Sequence, residues 1–381
     1  MRTQTRQQGG GRRRAVSAAT SVAIGVMTLG ALAPPAASAA RPDAVQQSLN
    51  ALVRDDGMPA ALASVQDPDG RTRTYTAGVG DLATGSKVPR DGQVRIGSNT
   101  KAFTAVVVLQ LVGEGKIGLD TMVDDYLPGL VRGEGIDGRH ITVRQLLQHT
   151  SGLPDYGVHV DDDEIRNRYL EPRELLDIAL RYKADAAPGE TWGYSNTNYV
   201  LAGLIVQKVT GRPLAEEMDR RIIKRIGLRH TYFPAPGEMT IREPHPRGYH
   251  RNRADGPLRD FTEMDPSWGW AAGQLISTNS DLNRFFTALL AGRLLPAAQL
   301  AEMRTTVPAG TSGLRYGLGL TSRPLSCGGV YWGHGGDIAG YETRGGVTDD
   351  GRAANVAVTS IPTDDSAAQH VKDAVDRALC G

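Results

Sequence analysis

One apolar segment constrains this chain more than any other. From Ala102 to Val112 it runs Ala-Phe-Thr-Ala-Val-Val-Val-Leu-Gln-Leu-Val, with almost no polar face. As a helix, such a segment has to be buried nearly all round. Its β-branched residues lower helix propensity only mildly, and burial overrides that. Gly113 and Gly115 supply the stop, and Gly97, Ser98, Asn99 and Thr100 supply small and capping residues for the start. Ser98 and Lys101 then lie one turn apart on one face. A lysine drawn into apolar surroundings favours its neutral form, and the serine hydroxyl sits at the positive end of the helix dipole. Those conditions activate a serine nucleophile. Taken alone, the pair also reads as an N-cap serine beside a lysine whose head reaches water, since roughly one chance S-x-x-K is expected in a chain this long.

The N-terminus has the composition of a removable leader. Arg2, Arg6, Arg12, Arg13 and Arg14 precede an apolar, small-residue run from Ala15 to Ala33, then Pro34-Pro35 and Ala37-Ser38-Ala39. That order predicts a secretory signal peptide over residues 1–40 and a secreted, extracellular protein. The helix-breaking prolines argue against a membrane anchor, and no later stretch is apolar enough to span a bilayer. Residues 1–40 hold five of the 43 basic residues and none of the 42 acidic ones. The remainder therefore carries 38 against 42, a net of −4, with no basic stripe, which excludes nucleic acid as an expected partner. Export places the two cysteines, Cys327 and Cys380, in an oxidising compartment. A bond between them is expected, with two buried thiols as the alternative.

Patterning changes along the chain. Residues 43–54 read as a helix, and 61–80 as two strands around Asp67-Pro68-Asp69-Gly70. Val94–Ile96 reads as a short strand entering the Ser98 helix. Helices are expected over 142–155, where Gly152 and Pro154 end the run, and over 172–183, 198–211 and 281–294. Residues 328–337, 340–348 and 352–361 read as strands, with a turn at Asp349-Asp350-Gly351, and 366–379 closes as a helix. Strands thus occupy both ends and helices the middle. The fold class this predicts is α/β of the α+β kind: an antiparallel sheet from residues 41–117 and 301–381, flanked by terminal helices, with a mainly helical domain over 118–300. A cleft at their seam is the natural site.

Three further stretches carry polar residues suited to chemistry. Tyr194-Ser195-Asn196 precedes a buried helix, His334-Gly335-Gly336-Asp337 lies on an expected strand, and "QHTSGLPDY" (148–156) is a polar turn. Each has a plainer reading: a packing tyrosine with an asparagine cap, a structural histidine, a glycine bulge. Together they fit acyl transfer, which needs a nucleophile, a base and oxyanion donors. Ser98 supplies the first, Lys101 and Tyr194 share the second, and Asn196 fixes Lys101 and a substrate carbonyl. The backbone N–H groups of Ser98 and Asp337 are candidates for the third. A metal site from His159 with Asp161, Asp162, Asp163 and Glu164 is far weaker than a solvated acidic loop, because only one histidine is near. No metal or other cofactor is expected.

The order S-x-x-K, Y-x-N and H-x-G, here Ser98–Lys101, Tyr194–Asn196 and His334–Gly336, resembles the penicillin-recognising serine enzymes. The Y-x-N and H-x-G variants are similar to the soluble exported D-alanyl-D-alanine carboxypeptidases of Streptomyces and to class C-like β-lactamases and esterases. "HITVRQLLQHTSGL" (140–153), "YGLGL" (316–320) and "LSCG" (325–328) extend the resemblance over nearly the whole chain behind the leader. The resemblance implies a β-lactamase/transpeptidase-like fold and an acyl-enzyme hydrolase, first a penicillin-binding D-alanyl-D-alanine carboxypeptidase acting on peptidoglycan-type peptides, with a class C-like esterase, D-aminopeptidase or β-lactamase as alternatives and a non-catalytic binding module as a remote one; a monomer is expected. It implies Ser98 as nucleophile, Lys101 as its base, Tyr194 as proton shuttle to the leaving amine and Asn196 as substrate ligand. His334 takes the place of a lysine found in many relatives, Trp268 walls the pocket, and the cysteine positions suit the carboxypeptidase disulfide.

The third motif departs from the carboxypeptidase pattern. Its threonine and the following hydroxyl residue are replaced by Gly335 and Asp337, and Thr321 stands at the motif-matched arginine position. Arg323, two residues on, faces the same way in a strand. Gly335 and Gly336 are expected to widen the site. An Asp337 side chain facing the pocket would repel a substrate carboxylate and favour an ester, an amide or a free amine.

Overall fold

A computed structural model describes Ala15 and residues 43–381, except Ala254, Thr311 and Ser312. Apart from Ala15, the expected leader lies outside the described residues. In chain order, the elements that build the site begin with α1 (Ala44–Arg54), β1 (Ala60–Gln66), β2 (Thr72–Gly78), β3 (Val94–Arg95) and α2 (Thr100–Gly113). Then come α3 (Val143–Gln148), α4 (Asn196–Thr210), α5 (Trp270–Gly273), β4 (Ile276–Ser277) and α6 (Asn279–Leu290). The last part holds β5 (Val307–Pro308), β6 (Arg315–Tyr316), β7 (Thr321–Pro324), β8 (Val330–Gly333), β9 (Gly336–Ile338), β10 (Tyr341–Thr348), β11 (Ala353–Val358) and α7 (Asp365–Cys380).

The sheet joins both ends of the chain, as the strand pattern predicts. Its order is β2-β1-β11-β10-β8-β7-β6-β5, all antiparallel, with β9 also paired to β10. The N-terminal strand β1 meets the late strand β11 in register Ala61 to Val358 through Gln66 to Ala353. The terminal helices cover one face: Leu49 and Leu52 of α1 and Val371, Val375 and Leu379 of α7 bury against Val65, Val356 and Val358. Cys327 and Cys380 are bonded, tying α7 to the loop between β7 and β8.

The opposite face packs on α6, which lies within the expected helical stretch but forms a layer of the sheet. Its asparagines reach the strands. Asn283 donates to the Ser64 carbonyl and accepts from Asn355, and Asn279 donates to the Leu62 carbonyl. Behind α6 runs α2, with Phe103 stacked on Phe285 at 3.8 Å between ring centroids. Every α2 residue from Thr100 to Leu111 is buried, as its composition demands. Each large apolar side chain so buried contributes about 1.5–3 kcal/mol.

Two elements differ from expectation. The helix expected over 142–155 ends at Gln148, because His149 adopts a left-handed conformation (φ 61°) and caps it. The strand expected over 328–337 is split. β8 pairs β10 up to Gly333–Gly346 and β9 resumes at Gly336–Thr343, so His334 lies in the opening between them rather than in a strand. The expected acidic loop holds no metal cluster among the described residues. Asp161 caps the short helix that follows it, Asp162 pairs with His250 and Asp163 with Arg259.

Candidate active site

The serine turn is clamped from three sides. Arg95, 1% exposed, donates to the carbonyls of Met239, Thr262 and Met264 and so pins β3 to the loop before α5. Asn99 donates to Thr343 Oγ1 of β10 at 2.7 Å. Gly97 adopts φ +47°, and a Cβ there would lie 2.9 Å from the Asp337 carbonyl oxygen and 3.0 Å from its nitrogen. Only glycine lets the Ser98 turn approach β9 this closely. The Asp337 backbone is therefore brought to the nucleophile turn.

Lys101 is fully buried behind Ser98. Its Nζ donates to Ser98 Oγ at 2.9 Å, Asn196 Oδ1 at 2.7 Å and the Ala272 carbonyl of α5 at 2.9 Å. Burial pushes its ammonium down to about 7, while Asp155 and Asp337 pull the other way. The helical spacing thus places serine and lysine as the sequence predicts, and the lysine is a base at neutral pH.

Asn196 opens α4 and is oriented by Asp155, which sequence reasoning missed. Asp155 Oδ1 accepts from the Asn196 backbone and Oδ2 from its side-chain amide, both at 3.0 Å. This fixes Asn196 Oδ1 toward Lys101. The signal available was the turn after α3, where an aspartate can bind exposed helix N–H groups. Tyr194 packs on His149, with ring centroids 4.4 Å apart, and Lys101 Nζ lies 4.8 Å from the Tyr194 ring centroid. Desolvation drives the Tyr194 phenol well above its ordinary range, with contact to Ser98 opposing. The residue is still 37% exposed through the cleft mouth, so bound substrate decides how fully that push is felt. Its phenol is neutral at neutral pH, and Lys101 is the stronger candidate base.

His334 is buried and uncharged. Its Nδ1 faces the Gly335 carbonyl, which only accepts, so Nδ1 carries the proton and Nε2 accepts from Tyr316 at 2.8 Å. Desolvation and then Lys101 push it down to about 3. It therefore occupies the place of the relatives' lysine without the charge.

These groups open onto a cavity of about 480 Å³. Ser98, Tyr194, Asn196, Tyr316 and His334 line it near the nucleophile, and Gly335, Asp337, Arg323 and Arg344 line it further along. Trp268 does not line it. That residue packs against the main core and offers its carbonyl to Tyr156, while Trp192 takes the wall position. The glycines do not simply add space. A Cβ on Gly335 would lie 2.9 Å from the Arg344 guanidinium, and one on Gly336 would lie 1.9 Å from the Ile96 carbonyl. They admit Arg344 and the serine turn, and Gly336 is itself buried away from the cleft. The Asp337 side chain faces the cleft but is not bare, because Arg344 Nη1 holds it at 2.7 Å. Arg323 and Thr321 share the cleft face, as strand alternation predicts.

A fold of this topology, with a serine and a buried lysine one turn apart at a helix start, defines a serine hydrolase of the β-lactamase and penicillin-binding protein class. The chain belongs to the Beta-lactamase family, whose model matches residues 45–379. Among solved structures it is similar to a D-stereospecific amidohydrolase from Streptomyces sp. (42% identity, TM-score 0.80, covering 87% of this chain and 97% of that one). It is also similar to the D-amino acid amidase from Ochrobactrum anthropi SV3 (29% identity, TM-score 0.78, 88% and 96% covered). Penicillin-binding protein 4 of Amycolatopsis lactamdurans is 29% identical over 277 residues, 69% of each chain.

Proposed function

We propose that the protein hydrolyses amide bonds whose acyl side is a D-amino acid, through an acyl-enzyme on Ser98. The observation that carries the reaction is the Lys101 Nζ contact to Ser98 Oγ at 2.9 Å in a site whose burial lowers the lysine to about 7, so that a neutral fraction is present near pH 7. The stereochemical preference draws on the likeness to a D-stereospecific amidohydrolase at 42% identity. Neutral Lys101 takes the Ser98 proton as Oγ attacks the carbonyl carbon. The backbone N–H groups of Ser98 and Asp337 hold the oxyanion. The C–N bond breaks as Tyr194 passes a proton to the departing amine and regains one from Lys101. Water then attacks the ester along the reverse route and releases the D-acid.

A second reading, D-alanyl-D-alanine carboxypeptidase, is favoured by Arg323 on the cleft face. The missing third-motif hydroxyls weigh against it. Under either reading the chain acts outside the cell after loss of residues 1–40, which the N-terminal sequence of secreted protein tests. For the reaction, p-nitroanilides of D- and L-alanine are compared on wild type and Ser98→Ala. The proposal predicts turnover of the D-compound by wild type alone. Equal use of both enantiomers, or turnover by Ser98→Ala, would overturn it.

A further inference from the structure

One buried titratable side chain beside the cleft takes no part in the reaction proposed above. His149 follows α3 in the polar turn and is fully buried. Burial, then Lys101, then His334 hold its imidazole well below the ordinary range, so the ring is uncharged at neutral pH. Three of its contacts converge on Tyr194. The His149 carbonyl accepts from the Gly193 N–H at 2.9 Å. Its Nδ1 accepts from the Ser195 N–H at 3.2 Å. The imidazole packs on the Tyr194 ring, with centroids 4.4 Å apart and planes 34° apart. One residue thus holds the backbone on both sides of Tyr194 and the ring between them.

The hydrogen bonds also fix the tautomer. A backbone N–H only donates, so Nδ1 offers its lone pair and the neutral ring carries its proton on Nε2. Asn198 Nδ2 meets Nδ1 as well, at 3.1 Å, and Asn198 Oδ1 accepts from Ser151 Oγ, which sets the amide that way round. Nε2 has no hydrogen-bond partner among the described residues. Around the imidazole lie Tyr316 and Tyr199, with centroids 4.8 and 5.3 Å away. A ring without nitrogen would fill this space and leave no buried N–H unpaired. What histidine supplies here is the acceptor at Nδ1.

We infer that His149, protonated on Nε2, is a positioning residue that clamps residues 193–195 and so aims the Tyr194 phenol at the departing amine. It touches no reacting atom. The inference rests on Tyr194 as proton donor in the reaction proposed above.

Leaving-group dependence tests it. Expulsion of an amine needs a proton from Tyr194, whereas p-nitrophenolate leaves without one. The value of kcat/KM, which reports acylation, is measured on D-alanine p-nitroanilide and D-alanine p-nitrophenyl ester for wild type, His149→Ala and His149→Asn. His149→Ala should lose about 100-fold on the anilide and less than about threefold on the ester. Asparagine tolerates the left-handed backbone and places Oδ1 where Nδ1 stands, so His149→Asn should stay within about tenfold of wild type on the anilide. Imidazole nitrogen NMR of wild type, assigned by difference against His149→Asn, should show the proton on Nε2 throughout about pH 5 to 8. Equal losses on anilide and ester in His149→Ala, which a merely structural role gives, would overturn the inference. So would a proton on Nδ1, a titration within that range, or His149→Asn as impaired on the anilide as His149→Ala. A wild type that cleaves the ester and not the anilide would instead overturn the amide reaction proposed above, and the nitrogen spectra would then decide the clamp by themselves.

Discussion

Replacing Asp155 with asparagine separates the roles of charge and orientation at Lys101. Asn196 lies between them: Lys101 Nζ is 2.7 Å from Asn196 Oδ1, and Asn196 Nδ2 is 3.0 Å from Asp155 Oδ2. An amide spans about 2.2 Å from oxygen to nitrogen, so ammonium and carboxylate are at most about 8 Å apart. At an effective dielectric of about 20, that attraction is about 2 kcal/mol. Asp155 raises the lysine against the larger downward push of burial. Removing its charge therefore moves Lys101 further down, and with it the acid limb of kcat/KM, by about 1.5 pH units. Asn196 also loses an acceptor for its amide, so the plateau rate should fall about tenfold. The assay is the pH dependence of kcat/KM on a D-amino-acid anilide for wild type and Asp155→Asn. Wild type should level off above about pH 7. An acid limb that stays in place, or moves upward in the variant, would refute the view that Lys101 is the titrating base and Asp155 its support.

Other outcomes follow from the same geometry. Lys101 is lowered from 10.5 to about 7, so the folded state binds fewer protons than the unfolded state between those values. Stability should accordingly rise with pH across that window, and urea unfolding of Lys101→Met should show a flatter slope. His334 should show no imidazole titration between about pH 5 and 8 by NMR, since its site holds it neutral. Gly97→Ala should lower kcat/KM about 100-fold by displacing the Ser98 turn from Asp337, with a smaller effect on thermal stability. Replacing both Cys327 and Cys380 by serine opens a loop of 53 residues and should cost about 4 kcal/mol in denaturant unfolding.

The part of the site legible in the sequence is the part set by short-range geometry. Ser98 and Lys101 meet because three residues make about one helical turn, and Asn196 was readable as a residue just ahead of a buried helix, although the helix in fact begins at Asn196 itself. Arg323 followed from strand alternation with Thr321. What escaped depends on contacts between distant segments. Asp155 reaches Asn196 across 41 positions, Arg95 clamps a loop more than 140 positions away, and Tyr316 of β6 meets Nε2 of His334. Trp268 was expected at the wall on the resemblance alone, whereas packing gave the wall to Trp192 and the core to Trp268. The glycines after His334 were read as space, whereas Arg344 and Ile96 fill what a side chain would need. The sheet itself was legible because its central strands are short apolar runs bounded by turn residues. The break at His334 was not, because it depends on which β10 residues remain unpaired.

The most direct test of an acyl-enzyme on Ser98 is the mass of the intact protein during turnover. D-alanine methyl ester is mixed with wild type and with Ser98→Ala, and the reaction is quenched in acid within milliseconds to seconds. One D-alanyl group is expected on wild type, located at Ser98 by peptide mapping, and no addition is expected on Ser98→Ala. Ester turnover by wild type with no acylated serine at any quench time, or the same addition on Ser98→Ala, would contradict it.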